Sequence, residues 1–286
     1  MIKPSEKRLK KAAAGPMEKN EQNIVLKYPV LLVHGSGFRD KNLGMNYWGR
    51  IPAEMEKKGI KIYYGGTDAW GSIENNACLL KTTIENITGK NGVEKINIIA
   101  HSRGGLEARY LISSLHLHNS IASLTTISTP HRGVKAMNAA LYIPDFIYKF
   151  VAFFINLWCK ISGDKNPDFY RSSRQLSERE CSEFNKTNGD KAPVYYQSYA
   201  AKMKYFFSDI LYLLLNPFLM ITDGENDGLC PVHSAEWGNF KGTITTEGKF
   251  GISHSGIIDT YRIKYKGIDI PKFYISILED LSQSGY

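Results

Sequence analysis

Ser102 stands in the stretch INIIAHSRGG, where a run of β-branched apolar residues ends and two glycines begin. A serine in that place is a candidate nucleophile for acyl transfer. A strand that turns sharply into a helix pushes the serine Oγ clear of the sheet. Strand and helix backbones then pass so close that the residues two before and two after the serine must be small. Ala100 and Gly104 meet that demand, so the departure from the usual G-x-S-x-G pattern amounts to one methyl group. The plain structural alternative is a buried helix N-cap serine. A catalytic serine needs more than its own turn: a base to take its proton, an acid to orient the base, and two N–H donors for the oxyanion.

The elements around Ser102 are those such a turn requires. Residues 28–35 (YPVLLVHG), 60–66, 96–102, 121–129 and 193–201 read as strands. Residues 46–59, 72–88 and the stretch from Gly104 to about Leu117 read as helices. Alternation of this kind predicts an α/β fold, a mostly parallel central sheet flanked by helices, with ligands at the carboxyl ends of the strands. Two densely apolar stretches break the rhythm, 143–162 and 203–222. Each is near the roughly 20 residues that cross a bilayer. The first holds Asp145 and Lys149 and the second Asp209 and Pro217, so a transmembrane helix is not expected. A buried core helix is the plain reading of both. For 143–162 an apolar lid over a lipid-binding cleft is preferred.

On an α/β-hydrolase scaffold the acid and then the histidine follow the serine in the chain. That order sets aside His34, His101, His116, His118 and His131. His34 and His101 are expected to shape turns beside the site. His233 and His254 remain, and His254 in the loop GISHSG is preferred as the base. The segment TDGENDGLCPV offers Asp223, Glu225 and Asp227 as the acid; Asp227, followed by Gly228, is preferred and Asp223 stands second. The oxyanion donors are expected to be the backbone N–H of Arg103, directly after the nucleophile, and that of Ser36 in the loop VHGSGF. Arg103 is named for its N–H rather than its charge.

These residues carry a resemblance. The chain resembles the bacterial triacylglycerol lipase family of the α/β-hydrolase fold, the lid-bearing lipases. The matching landmarks are PVLLVHGSGF, YWGRIPAEMEKKG, INIIAHSRGG, LTTISTPHRG and ENDGLCPV. The resemblance implies a triad of Ser102, Asp227 and His254, oxyanion positions at Ser36 and Arg103, and a helical lid over 134–175. It implies a serine hydrolase that cleaves carboxylic esters of lipids through an acyl-enzyme on Ser102. The alternatives are a carboxylesterase or polyester hydrolase with the same triad, and a non-catalytic lipid-binding protein. Many relatives place Asp almost directly after the histidine and use it to bind a structural calcium. Here Asp259 follows at a longer spacing. No cofactor is expected to be required, and calcium is the one alternative left open. The insert that carries zinc in some relatives has no counterpart.

Composition bounds the rest. The 286 residues are 43% hydrophobic and 22% charged, which suits one large α/β domain over 23–286 and excludes wholesale disorder. Of the net charge of +8, residues 1–20 contribute six Lys/Arg against two Glu. Residues 1–22 therefore read as a basic, solvated arm. No nucleic-acid motif accompanies it, so peripheral contact with lipid surfaces is the preferred partner and nucleic acid is not expected. No apolar run follows the basic start, so no leader is expected within it; a cytosolic protein and one secreted after loss of a leader both stay open. Cys78, Cys159, Cys181 and Cys230 show no metal-site spacing, and a Cys181–Cys230 disulfide stands beside buried free thiols as an alternative.

Overall fold

The computed structural model describes residues 24–42 and 45–286; the predicted basic arm lies outside the described residues. The chain opens with β1 (Val30–Val33), a short ribbon of β2 (Lys41–Asn42) and β3 (Met45–Asn46), then α1 (Ile51–Lys57) and β4 (Ile62–Tyr64). Next come α2 (Ile73–Asn91), β5 (Ile96–His101), α3 (Gly104–Ser113) and β6 (Ile121–Ile127). A 3₁₀ helix (Lys135–Tyr142), α4 (Asp145–Ile161), α5 (Phe169–Arg174) and α6 (Glu178–Thr187) separate β6 from β7 (Tyr195–Ala201). The chain closes with α7 (Asn216–Thr222), α8 (Val232–Ala235), β8 (Asn239–Ile244) and α9 (Ile270–Gln283).

Six strands form one sheet in the order β4-β1-β5-β6-β7-β8, every neighbour parallel. Both faces of such a sheet are covered, so its strands need apolar residues on both sides. The alternation is visible in β1. Val30 and Leu32 pack with Trp48, Met55, Ile99 and Tyr274 on one face, while Leu31 and Val33 pack with Leu80, Ile98, Ala100 and Leu111 on the other. The first layer is closed by α1 and α9, the second by α2 and α3. Side-chain caps fix where helices begin. Ser72 accepts from Asn75 N–H (3.2 Å) at α2, Ser177 from Glu180 N–H (3.3 Å) at α6, and Asp269 from Lys272 N–H (3.1 Å) at α9.

Two expectations change, and the cysteine alternatives resolve. The helix expected over 46–59 covers only α1, because Gly49 is at φ +51° and leads Pro52 into the first helical turn. The freed residues place Tyr47 and Trp48 under the sheet's carboxyl end. The segment 203–222 is not a buried helix. It holds a short 3₁₀ turn (Ile210–Tyr212) and α7, which starts around Pro217, and most of its apolar side chains are exposed. All four cysteines are free, with Cys159, Cys181 and Cys230 buried. Residues 134–175 form the 3₁₀ helix, α4 and α5, as an excursion between β6 and β7.

The loop that follows β8 is pinned from a distance. Asp259, fully buried and at φ +60°, accepts from Arg50 N–H and Nε (2.8 Å each) on one oxygen and from Arg50 Nη2 (2.6 Å) on the other. A Cβ on Gly49 would lie 2.2 Å from the Asp259 carbonyl oxygen, so only glycine lets the two loops touch. Arg50→Met removes the guanidinium from a buried carboxylate and leaves it only the backbone N–H of residue 50. We expect it to cost roughly 3 kcal/mol, read as a fall in the midpoint of thermal unfolding, and added calcium should not restore it. A melt equal to that of the unaltered protein would contradict this account.

Candidate active site

Ser102 lies between β5 and α3 with φ +55°, in the left-handed region that a serine occupies only when held there. Its N–H donates to Ile127 O (2.9 Å), and its carbonyl accepts from Thr129 Oγ1 (2.8 Å) and Gly105 N–H (3.1 Å). The crowding expected around it is present. A Cβ on Gly104 would stand 2.4 Å from His34 O, and one on Gly105 2.2 Å from Thr129 Oγ1. Ala100 is fully buried in the second apolar layer, where its methyl packs without displacing a neighbour.

The loop after β1 comes down onto this turn. A Cβ on Gly35 would be 2.6 Å from Ser102 Cβ. Gly35 N–H donates to Tyr47 OH (3.0 Å), and Gly37 N–H to Ala69 O (3.0 Å). Between these two tied amides, Ser36 N–H donates to nothing among the described residues, and neither does Arg103 N–H. The loop's two outer amides are held and its middle one is free to point at a ligand. His34 locks the arrangement, with Nε2 2.9 Å from Thr67 Oγ1 and Nδ1 2.7 Å from Gly35 O.

Asp227 and His254 meet. Asp227 is fully buried, and its Oδ2 lies 2.8 Å from His254 Nδ1, while Oδ1 accepts from Leu229 N–H (3.1 Å) and Cys230 N–H (2.7 Å). His254 N–H donates to Asp227 O (2.8 Å), so the same residue fixes the backbone and the ring of the histidine. Such a carboxylate holds the proton on Nδ1 and leaves Nε2 as the basic nitrogen. The competing candidates are occupied elsewhere. Asp223 accepts from Lys135 N–H (2.6 Å) and Ala136 N–H (3.0 Å) at the start of the 3₁₀ helix. Glu225 is exposed and paired with Lys202. His233 is exposed on α8.

Arg103 contributes more than its N–H. Its side chain is fully buried, donating to Glu107 Oε1 (3.0 Å) and to the carbonyls of Asp68 (3.4 Å) and Ala69 (3.2 Å). The guanidinium therefore braces the loop to which Gly37 is tied. That loop is in turn clasped to the end of α4. Asp164 accepts from the N–H of Ala69 (3.0 Å) and Trp70 (3.1 Å), and Asp68 from the N–H of Lys165 (2.8 Å) and Asn166 (2.6 Å). Sequence reasoning missed this clasp and also missed Tyr47, whose hydroxyl lies 2.7 Å from His101 Nδ1 and links the elbow to the Ser36 loop. No local pattern announces either, because each partner is tens of residues away.

Asp259 does not fit calcium. Both of its oxygens face the Arg50 guanidinium, which already supplies the compensating positive charge. Among the described residues, no group of three or more His, Cys, Asp or Glu side chains is placed to hold a metal ion.

Comparison with known proteins sets this geometry in context. The palmitoyl protein thioesterase family matches residues 29–243. Triacylglycerol lipase 2 of Saccharomyces cerevisiae is 29% identical over 263 residues, which cover 85% of this chain and 76% of that protein. The triacylglycerol lipase of Pseudarthrobacter phenanthrenivorans is 34% identical over 111 residues, 37% of this chain and only 34% of its own length. The crystal structure of Staphylococcus hyicus lipase superposes with a TM-score of 0.67 at 18% identity, covering 94% of this chain and 98% of that one, and shares its fold.

Two buried histidines beside this machinery give the protein a pH signature. His101 sits 4.4 Å, centroid to centroid, from the His254 ring, and burial followed by that neighbour holds it well below the ordinary histidine value. His131 is buried between Thr126 and Arg109, and burial followed by the two nearby arginines lowers it likewise. Both stay neutral in the folded protein while the unfolded chain binds their protons below about pH 6.5. Stability is thus full above that value and falls as pH drops, by up to about 1.4 kcal/mol per pH unit for each histidine. We expect the melting temperature to decline from pH 7.5 to 5.5 and the decline to flatten in His131→Gln; an equal slope in the variant would contradict the assignment.

Proposed function

Because the chain belongs to the palmitoyl protein thioesterase family, we propose that it is a serine hydrolase of lipid acyl esters, with triacylglycerol as the favoured substrate class. The observation that carries this reading is the Asp227–His254 hydrogen bond of 2.8 Å in a chain whose Ser102 is held at φ +55° at a strand-to-helix turn. The likeness to yeast triacylglycerol lipase 2 along 85% of the chain supports an oxygen ester of a lipid. The family name favours a second reading, a thioester of a long acyl chain, which the same acyl-enzyme chemistry would cleave.

In the proposed reaction His254, oriented by Asp227, takes the Ser102 proton as Oγ attacks the acyl carbonyl. The N–H groups of Ser36 and Arg103 receive the oxyanion, an interaction whose loss has cost about 10²–10³ in turnover where one such donor was removed. His254 then protonates the departing alcohol, and water clears the acyl-enzyme by the same route. Residues 134–175 form the lid or cap of this site. The clasp between Asp164 and the 68–70 loop ties the C-terminal end of its helix α4 to the oxyanion side.

Ser102→Ala is expected to abolish hydrolysis of nitrophenyl esters and labelling by a fluorophosphonate probe while leaving the thermal melt nearly unchanged. His254→Ala should lose activity by about 10³-fold or more, and His233→Ala should keep it. Labelling of the Ser102→Ala protein would overturn the assignment. Comparing turnover of a triacylglycerol emulsion with that of a long-chain acyl thioester separates the two substrate readings.

A further inference from the structure

Two apolar elements border the site, and among the described residues nothing covers them. In α4 only Tyr148, Ala152 and Cys159 are buried, whereas Phe146, Phe150, Phe154 and Trp158, spaced four residues apart, are 54–76% exposed. On the other side, Ile210, Leu211, Leu214 and Ile221 are 63–94% exposed. Single exposed apolar residues are ordinary on a protein surface, but contiguous stripes of this kind are not.

Both elements are rooted beside the chemistry. The end of α4 is clasped by Asp164 to the loop that holds Gly37, and Trp70 of that loop packs edge-on against Phe169 at 4.8 Å. The 205–221 segment is rooted in the histidine loop. Asp209 accepts from Ser253 Oγ (2.6 Å) and Tyr261 OH (2.7 Å), and Tyr212 is hydrogen-bonded to Ser255. The two elements converge on the 3₁₀ helix Lys135–Tyr142. It packs against α7 directly and, through α5, against α4. Tyr142 at its end is 85% exposed.

The chemistry of the margin selects the partner. Lys160 near the end of α4 and Lys165 just beyond it are exposed, as are Lys204 and Lys249 beside the other stripe. The segments' own acids are mostly spent inward: Asp164 and Asp209 are buried and hydrogen-bonded, and Asp145 is paired with Lys149 and Arg174. Of the other exposed acids here, Glu225 is paired with Lys202, which leaves Glu247 beside the 205–221 segment and Glu178 at the 3₁₀ helix. Among the described residues no helix is long and apolar enough to cross a membrane. An apolar face with a basic rim that cannot span fits the interfacial zone of a bilayer, where side chains enter the headgroup boundary and lysines meet phosphates.

We propose that α4 and residues 205–221 form one docking face for a lipid bilayer bearing anionic headgroups, which sets the mouth of the Ser102 site against the membrane. The lipid-ester reading explains why the docked site would meet substrate, but docking itself requires no catalysis, so the two fail separately. The test is co-sedimentation of the full chain, as Ser102→Ala so that lipid is not consumed, with vesicles of phosphatidylcholine alone or mixed with phosphatidylglycerol.

Binding to the mixed vesicles, weakened by added salt, is the expected result. Phe150→Ser with Trp158→Ser, or Leu214→Ser with Ile221→Ser, should weaken it by about tenfold or more. Both pairs should unfold in one cooperative transition close to that of the unaltered protein, which shows that they fold. Three results overturn the proposal. Binding that the serine variants leave unchanged is one. Binding that is equal on neutral vesicles and indifferent to salt is another. The third is a concentration-dependent dimer that the variants abolish, which would make a second copy of the chain the occupant.

Discussion

The structure turns on one tight crossing, where the backbone at Ser102 is forced to positive φ against the loop after β1. Left-handed backbone at a serine costs about 1–2 kcal/mol, and three glycines make the surrounding geometry reachable. Gly35 lies against Ser102 itself, Gly104 against the His34 carbonyl and Gly105 against Thr129. With any of these three replaced, strand β1, helix α3 and the loop after β6 could no longer meet at one point. The strained turn is kept in place by its hydrogen bonds to Ile127 and Thr129 and by the two apolar layers that hold β5 rigid between β1 and β6.

Around that crossing, carboxylates act as fasteners. Asp227 orients His254, Asp209 roots the 205–221 segment, Asp223 starts the 3₁₀ helix, Asp164 and Asp68 clasp the end of α4, and Asp259 joins the histidine loop to Arg50. Each accepts at least one backbone N–H, either from a segment distant in sequence or, as Asp227 does from Leu229 and Asp209 from Leu211 (3.0 Å), from its own turn. A buried carboxylate is tolerated only when its oxygens are met, so these contacts act as geometric constraints as much as sources of stability. The buried Arg103–Glu107 pair belongs to the same set. Burial pushes the Glu107 carboxyl up while Arg103 opposes the rise, and the pair fills the space beneath the oxyanion loop.

What could be read in advance was local. The strand-to-helix turn at Ser102, the glycines after it, the loop at Ser36 and the order of Asp227 and His254 each depend on residues within a few positions, or on chain order. The helix over 46–59 was overread because its apolar spacing continues through Gly49, whose positive φ serves a contact with Asp259 more than two hundred residues away. The 203–222 segment was overread as a core helix because hydrophobicity alone does not say whether an element has a partner. The role of the Arg103 side chain was missed for the same reason, since its partners at Asp68 and Ala69 are supplied by a different loop.

The amino-acid sequence alone carries the alternating β and α units, the parallel sheet they require, the strand-to-helix turn at Ser102 and the residue types from which the proposed acyl-transfer site is drawn. These follow from side-chain size, periodicity and backbone freedom, which act over short stretches of chain. The folded arrangement adds that Asp227 meets His254, that the Ser36 amide is unbonded among the described residues, that the Arg50 guanidinium faces Asp259, and that both apolar segments turn outward. Those outcomes depend on which distant groups come within about 3 Å of one another, a distance that hydrogen bonding rewards and that sequence spacing does not encode.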